Sequence, residues 1–336
     1  MKAIGYYQNL PVSHPEALLD LELPEPTPGP RDLVVEVRAV SVNPVDTKIR
    51  ARVAPPAGAA KIVGWDAAGV VVAVGDRVTG WKLGDAVWYA GAIGRQGSNA
   101  ERHVVDERIA GRMPSSLDFA RAAAMPLTTI TAWELLFERL GVARGGGAGK
   151  SLLIVGAGGG VGSILTQLAA RLTQLRVIGT ASRPETQAWV RSLGAHDVID
   201  HTQPMPAQLA GIAPGGVDHI ASLTHTEHHY PALVEAIAPQ GKLAVIDEPS
   251  SIDLVALKRK SASWHWESMF TRSTFETPDM IEQRRLLDEV SQLVDQRVLA
   301  TTAAEHFGTI NAANLKRAHA LIESGRSRGK IVLEGF

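Results

Sequence analysis

The sequence predicts an α/β chain in two parts: a region of short strands, then a doubly wound parallel sheet. Three observations carry that expectation. Residues 151–155 (Ser-Leu-Leu-Ile-Val) form an apolar run that ends in a glycine cluster and opens into a helix, whose Ile164, Leu165, Leu168, Ala169 and Leu172 share one face. From there the chain alternates strand, helix, strand, the rhythm of parallel strands joined by crossover helices. Before it, residues 1–125 hold closely spaced β-like runs divided by Gly and Pro, the pattern of a barrel-like β domain.

In order, the first six residues start a strand. Pro24, Pro26, Pro28 and Pro30 make a stiff connector that cannot be a central strand. Residues 33–40 alternate and read as a half-buried strand; 62–63 and 67–74 read as strands around a glycine turn, and 85–90 and 100–106 add two more. Residues 120–124 and 131–140 carry helical patterns broken at Pro126, and this stretch reads as the crossing between domains. Beyond the glycines, 176–181, 197–200, 217–222 and 241–247 are further strands. Residues 261–272 are aromatic and charged at once. Residues 280–298 and 314–323 are amphipathic helices, and 329–334 is a closing strand.

The glycine turn carries the chemistry. Free N–H groups at a helix start point outward, the helix dipole favours negative charge there, and small residues let phosphates approach the backbone. In the spacing of the dinucleotide fingerprint, Ala157, Gly159 and Gly162 occupy the three glycine places, with Gly160 and Val161 between them. The preceding strand and following helix supply the context that distinguishes a pyrophosphate cradle from a structural turn. The next strand ends at Ser182-Arg183, where a site for the unphosphorylated cofactor carries Asp or Glu. A hydroxyl and a guanidinium suit a 2′-phosphate, so NADP is expected over NAD; a solvated loop role for Arg183 is the alternative.

Composition sets the bounds. A chain of 336 residues accommodates two domains with separate cores. With 34 basic and 35 acidic side chains the net charge is −1, which gives no electrostatic case for nucleic acid or an anionic membrane. No apolar run is long enough to span a bilayer and the start reads as a strand, so a cytoplasmic protein is expected. Zero cysteines exclude disulfides, thiolate metal sites and a Cys nucleophile. The run from Gly145 to Ser151 imitates a P-loop, but it is one residue short and precedes its strand; it reads as a surface turn.

Several stretches together resemble the medium-chain dehydrogenase/reductase superfamily, in its zinc-free quinone-oxidoreductase-like branch. They are 41–47 (Ser-Val-Asn-Pro-Val-Asp-Thr), 64–69 (Gly-Trp-Asp-Ala-Ala-Gly), 84–87, 127–133, 156–162 and the ending Gly-Lys-Ile-Val-Leu-Glu. The resemblance implies a GroES-like β-barrel domain of residues 1–126, to which 268–336 return. A Rossmann NADP-binding domain of 127–267 would be inserted between, with the active site in the cleft and a homodimer as the assembly. Zinc members place Cys where Asn43 stands and His-Glu where Trp65-Asp66 stand, and they carry a Cys-rich lobe after Val87. Neither metal site can be built from these residues. Without a Lewis acid an alkoxide is hard to stabilise, which disfavours simple alcohol oxidation. A quinone or an α,β-unsaturated carbonyl instead delocalises incoming charge over its own π system, so orientation, one or two hydrogen bonds and a proton suffice.

By family position Asn43 offers an amide to a carbonyl oxygen or cofactor ribose, or else is a turn residue before Pro44. Asp46 and Lys48 form either a proton relay or a solvated pair. Thr131, at a helix start, bonds the nicotinamide end or caps the helix. Trp65 and Tyr89 line an aromatic acceptor pocket or pack the core. Trp266, Met269, Phe270 and Arg272 follow the sixth strand that the resemblance implies for the Rossmann sheet, where family members pass the chain over the nicotinamide and into the dimer contact; Trp266 and Met269 would line the substrate pocket and the Phe270 backbone would meet the carboxamide. Leu223, directly after the strand 217–222, would bind the cofactor. His225, His228 and His229 with Glu227 could hold a metal, though a loop near a cofactor ribose is the favoured reading, and His201 would flank the adenine. The expected activity is NADPH-dependent hydride transfer to a quinone or enone. Its alternatives are a zinc-free carbonyl or alcohol dehydrogenase, and a catalytically silent NADPH-binding sensor.

Overall fold

The computed structural model describes all of residues 1–336, in two compact units: Met1–Ile130 with Phe270–Phe336, and Thr131–Met269. The first unit opens with β1 (Lys2–Tyr6), β2 (Leu19–Glu22), β3 (Asp32–Val42), helix α1 (Pro44–Arg52), β4 (Lys61–Ile62) and β5 (Ala67–Val74). It continues with β6 (Ala86–Tyr89), β7 (Arg102–Asp106), β8 (Ala110–Arg112) and α2 (Phe119–Ala123). Helix α3 (Pro126–Trp133) runs across the unit boundary and continues as a π-helical segment, Glu134–Arg139.

Strand β3 is the spine of this unit. Nine of its eleven residues are buried, and it pairs antiparallel with both β5 and β7. One edge of β3 carries β5, and the other carries β7 against residues 32–36 and β16 against residues 39–42, so the strand has no free edge. Helix α1, not foreseen from the sequence, starts at Pro44, whose missing N–H costs nothing at a first helical position. Its far end is clamped: the Tyr6 hydroxyl donates to the Val53 carbonyl at 2.7 Å, and the buried Arg50 guanidinium reaches Leu10 O and Glu323. Pro126 likewise begins α3 where the sequence suggested a break, so Thr131 lies well inside the helix and does not cap it.

The second unit holds β9 (Ser151–Val155), α4 (Gly160–Leu172), β10 (Arg176–Thr180), α5 (Pro184–Ser192), β11 (Asp197–Ile199) and α6 (Met205–Leu209). It ends with β12 (Val217–Ser222), α7 (Thr226–Ala236), β13 (Ile237–Val245) and β14 (Ser263–Trp266). These strands form a six-stranded parallel sheet in the order β11-β10-β9-β12-β13-β14, the doubly wound fold expected. All of β9 is buried, as a strand covered by helices on both faces must be. The order reverses between β9 and β12, and such a switch point opens a crevice at the carboxyl ends of the strands. Strand β13 starts four residues before the expected 241, because it bends through Gln240 and Gly241 with a register shift.

After the second unit come α8 (Thr271–Phe275), α9 (Glu282–Asp295), β15 (Ala303–His306), α10 (Ala312–Glu323) and β16 (Lys330–Glu334). Helix α9 is shorter than the expected 280–298; past its end Arg297 adopts a left-handed φ of 61°. Strand β16 pairs antiparallel with β3, opposite residues 39–42. The central sheet of the first unit therefore contains chain from both ends of the sequence: β15-β16-β3-β5-β6-β8.

Candidate functional site

In the second unit the turn between β9 and α4 is built for close backbone approach. Gly156, directly after β9, has φ 84°, a conformation that glycine adopts without strain. A β-carbon on Gly162 would lie 2.3 Å from Gly156 O and 2.6 Å from Ala157 Cα, so only glycine lets α4 pack this tightly against the turn. At Gly159, which caps α4, an added β-carbon would meet nothing closer than 3.5 Å, so its lack of a side chain keeps space open at the helix start. Thirteen residues of α4 align their dipoles towards that point. Gly156 belongs to the fingerprint stretch 156–162 but has no cofactor contact assigned to it from sequence, unlike Ala157, Gly159, Gly160, Val161 and Gly162; the signal is its place as the first glycine after a buried strand.

The surrounding residues follow from the switch point. Leu223 N donates to Val155 O, and a β-carbon on Gly156 would meet Thr224 and Leu223, so the loop after β12 abuts the turn. Ser182 and Arg183 follow β10; both are half-buried, and the Arg183 guanidinium lies 3.5 Å from Glu185. His201, after β11, contacts the His229 ring edge-on at 5.9 Å, and His228 meets the same ring at 4.9 Å. Burial, reinforced by the neighbouring imidazoles, holds His229 down at about 4 and lowers His201. Neither these histidines nor any other set of three or more His, Cys, Asp or Glu residues is arranged to hold a metal ion, so the metal reading of the cluster fails.

In the first unit a second constellation forms where β3, β5 and β16 begin or end side by side. The register dictates it. Val42 faces Ile331 and Val40 faces Ala67, so one step further Asn43 comes opposite Lys330 and Ser41 opposite Asp66. Gly64, with φ 105°, turns the chain just ahead of Asp66. Asp66 is fully buried and its Oδ2 accepts from Ser41 Oγ at 3.0 Å, Asn43 Nδ2 at 2.8 Å and Lys330 Nζ at 2.8 Å. Its Oδ1 accepts from Leu127 N at 2.8 Å. Lys330 Nζ also donates to Asn43 Oδ1 at 2.7 Å. Burial of the pair is tolerable because the charges oppose each other and each is hydrogen-bonded.

Asp46 sits on the first turn of α1, where Oδ2 accepts from Asn43 N at 2.9 Å and the Trp65 backbone N–H also faces the carboxyl. Desolvation pushes its pKa up to about 7, against the lowering effect of the Asn43 N–H and the Lys330 charge; Asp66 adds to the rise. Lys48 is half-buried and stands two positions away on the same helix. Residues so spaced do not face each other, so α1 does not present Asp46 and Lys48 as a pair. Lys330 was not singled out in the sequence, where it reads only as the first residue of a closing strand.

The remaining candidates are placed as follows. Trp65 is fully buried, donates from Nε1 to Ala92 O at 3.2 Å, and meets Phe270 edge-to-face at 6.5 Å. Tyr89 is fully buried beside His103, whose Nδ1 lies 2.9 Å from the phenol oxygen and whose Nε2 faces Gln96 O. Because a carbonyl only accepts, His103 donates from Nε2 to Gln96 O and accepts at Nδ1 the hydrogen bond that the Tyr89 hydroxyl donates. Trp266 is exposed on the edge strand β14, Met269 is buried, and Thr131 is buried within α3. Arg272 is buried and paired with Asp279 at 3.0 Å.

Zinc does not fit the first-unit constellation. The Trp65 indole has no lone pair for a metal, and Asp66 Oδ2 already carries an ammonium at 2.8 Å.

Comparison with known proteins agrees with this geometry. Residues 29–115 match the alcohol dehydrogenase GroES-like domain and residues 193–333 match the zinc-binding dehydrogenase family. A zinc-type alcohol dehydrogenase-like protein of Staphylococcus aureus is 37% identical over 99% of both chains. The quinone oxidoreductase of Pseudomonas aeruginosa is 30% identical over 95% of this chain and 96% of its own. Among solved structures, a Rhizobium etli protein named for the zinc-dependent alcohol dehydrogenases superposes with a TM-score of 0.96 at 54% identity, covering 100% of this chain and 98% of that one. A mycobacterial protein solved with NADPH gives 0.84 at 25% identity, covering 99% of each. A GroES-like unit joined to a six-stranded doubly wound sheet defines an oxidoreductase of the medium-chain dehydrogenase/reductase class. Within that superfamily the chain belongs to the zinc-type alcohol dehydrogenase-like, quinone oxidoreductase branch. No helix is long and apolar enough to cross a membrane.

Proposed function

We propose that the protein is an NADPH-dependent reductase of quinones or α,β-unsaturated carbonyls that works without a metal. The observation that carries the reading is the Asn43–Asp66–Lys330 constellation, an internally charge-compensated amide where zinc relatives carry metal ligands. NADPH supplies the hydride. Gly156, Ala157, Gly159, Gly160, Val161 and Gly162 would cradle its diphosphate, Ser182 and Arg183 its 2′-phosphate, and His201 and Leu223 would flank the adenosine. Thr131 and the Phe270 backbone are assigned to the nicotinamide end, and Trp65, Tyr89, Trp266 and Met269 to the surroundings of the acceptor.

The acceptor gains one hydride at carbon and one proton at oxygen or at the α-carbon, and the cofactor leaves oxidised. Asn43 orients the acceptor oxygen and stabilises the charge that develops on it. Asp46, protonated below about pH 7, or water supplies the proton. The test is a panel of quinones, enones and ketones incubated with NADPH or NADH, followed by loss of reduced-nicotinamide absorbance. Turnover of quinones or enones with preference for NADPH is expected. Turnover confined to ketones and alcohols would move the protein to the carbonyl reductases. Cofactor binding without turnover of any compound would make it a sensor.

A further inference from the structure

We propose that Lys330 is a positioning residue that locks the Asn43 carboxamide in one orientation and makes it a donor to an acceptor oxygen. The inference deepens the reading above and rests on it for the identity of the acceptor. The two ends of a carboxamide have nearly the same shape, so their neighbours decide which end points where. An ammonium offers three donors and no acceptor; a carboxylate only accepts. Asn43 Oδ1 is therefore fixed towards Lys330 Nζ, 2.7 Å away, and Nδ2 towards Asp66 Oδ2, 2.8 Å away. A flipped amide would set donor against donor and acceptor against acceptor. Asn43 is 1%, Asp66 0% and Lys330 3% exposed, so solvent could not relieve either clash.

The lock has a chemical consequence. One Nδ2 proton is committed to Asp66 and the other is not. A cation on the carbonyl oxygen draws density from the amide nitrogen and strengthens that second N–H as a donor, more so in a dry surrounding. Such a donor complements an oxygen that gains negative charge as hydride arrives at carbon: the oxygen of a quinone, enone or ketone. An alcohol hydroxyl that must lose its proton needs an acceptor instead. Lys330 thus suits the site to an acceptor whose oxygen carries negative charge in the transition state, as that of a quinone, enone or ketone does. It acts through Asn43 and is placed by the pairing of β16 with β3.

The test is a double-mutant cycle on the full-length protein. Lys330→Met is expected to lower kcat for quinone reduction about 100-fold, as loss of an oriented donor does, while NADPH affinity measured by fluorescence titration stays unchanged. Asn43→Ala should cause a similar loss, and the double variant should be no worse than Asn43→Ala alone. Asp66→Asn/Lys330→Met, which removes both charges of the pair, recovers most of the stability lost in Lys330→Met and still shows the loss of kcat, so instability is not the cause. A second readout needs no turnover. With asparagine selectively 15N-labelled, five side-chain amides report, and Asn43→Ala identifies the one that matters. Its protons should exchange slowly in the wild type and about tenfold or more faster in Lys330→Met. Multiplicative losses in the cycle, or unchanged exchange in Lys330→Met, would overturn the inference. If the wild type reduces no compound of the panel, the proposed function falls, and the exchange measurement alone decides whether Lys330 holds the amide.

Discussion

The glycine turn of the second unit and the Asn43 constellation of the first are made from opposite materials. The turn works by what is missing: no β-carbon at Gly162, open space at Gly159, and backbone amides left free at the start of α4. The constellation works by what is present, a buried carboxylate, ammonium and amide within hydrogen-bond reach of one another. The first should therefore fail when atoms are added and tolerate changes of charge nearby. The second should fail when a charge is removed and recover when its partner is removed as well.

Gly162→Val gives the largest expected effect. The side chain has nowhere to go with Gly156 O only 2.3 Å from its first carbon. NADPH binding should weaken by about 100-fold or more, read by fluorescence titration, if the turn is the diphosphate cradle. Unaltered affinity would remove the turn from the site. Next comes Lys330→Met, expected to cost about 3–5 kcal/mol in urea unfolding by stranding the Asp66 charge, with most of it restored in Asp66→Asn/Lys330→Met. Equal instability of the single and double variants would show that packing, not charge, holds this corner together.

Asp46→Asn sharpens the contrast further, because it keeps an acceptor for the Asn43 N–H and removes the titration. In the wild type, kcat/KM should fall as pH rises through about 7, while in the variant that limb should be absent. Asp46 also marks stability. Its folded pKa is raised, so its favourable contribution is full below the ordinary value of 3.8 and is lost as pH rises through about 7. Urea midpoints of wild type and Asp46→Asn across that window should converge on the acid side. The smallest effect is expected for Arg183→Ala, which should narrow the preference for NADPH over NADH by roughly tenfold while leaving NADH turnover unchanged. An undiminished preference would assign the 2′-phosphate to other groups.

The two regions also differ in how far they could be read in advance. Strand, turn and helix around Gly159 are contiguous, so periodicity and spacing reveal them together, and the parallel sheet follows from the repeated rhythm. Lys330 and Asn43 stand 287 positions apart and become neighbours only through the register of β16 on β3. Nothing local in Gly-Lys-Ile-Val-Leu-Glu marks its lysine as different from any strand-leading cation. Helix α1 was illegible for a related reason: its polar sequence lacks an apolar stripe, and its anchoring comes from Tyr6 and from the Glu323 that meets its own Arg50, both contributed by distant segments. Tyr89 and Trp65 illustrate a third limit. Their composition suggested an aromatic lining, whereas full burial and the hydrogen bonds to His103 and Ala92 emerge only from the packed barrel.

The pairing of β16 with β3 has a consequence for biosynthesis. A ribosome that has delivered the glycine turn, and even the whole parallel sheet, has still not made the lysine that neutralises Asp66. The nascent first unit must wait with an unanswered carboxylate and an open strand edge while the intervening domain is translated and folds. Stalling or premature release after that sheet and before residue 330 would leave a fragment with its parallel sheet and glycine turn complete but with Asp66 lacking the ammonium that answers it.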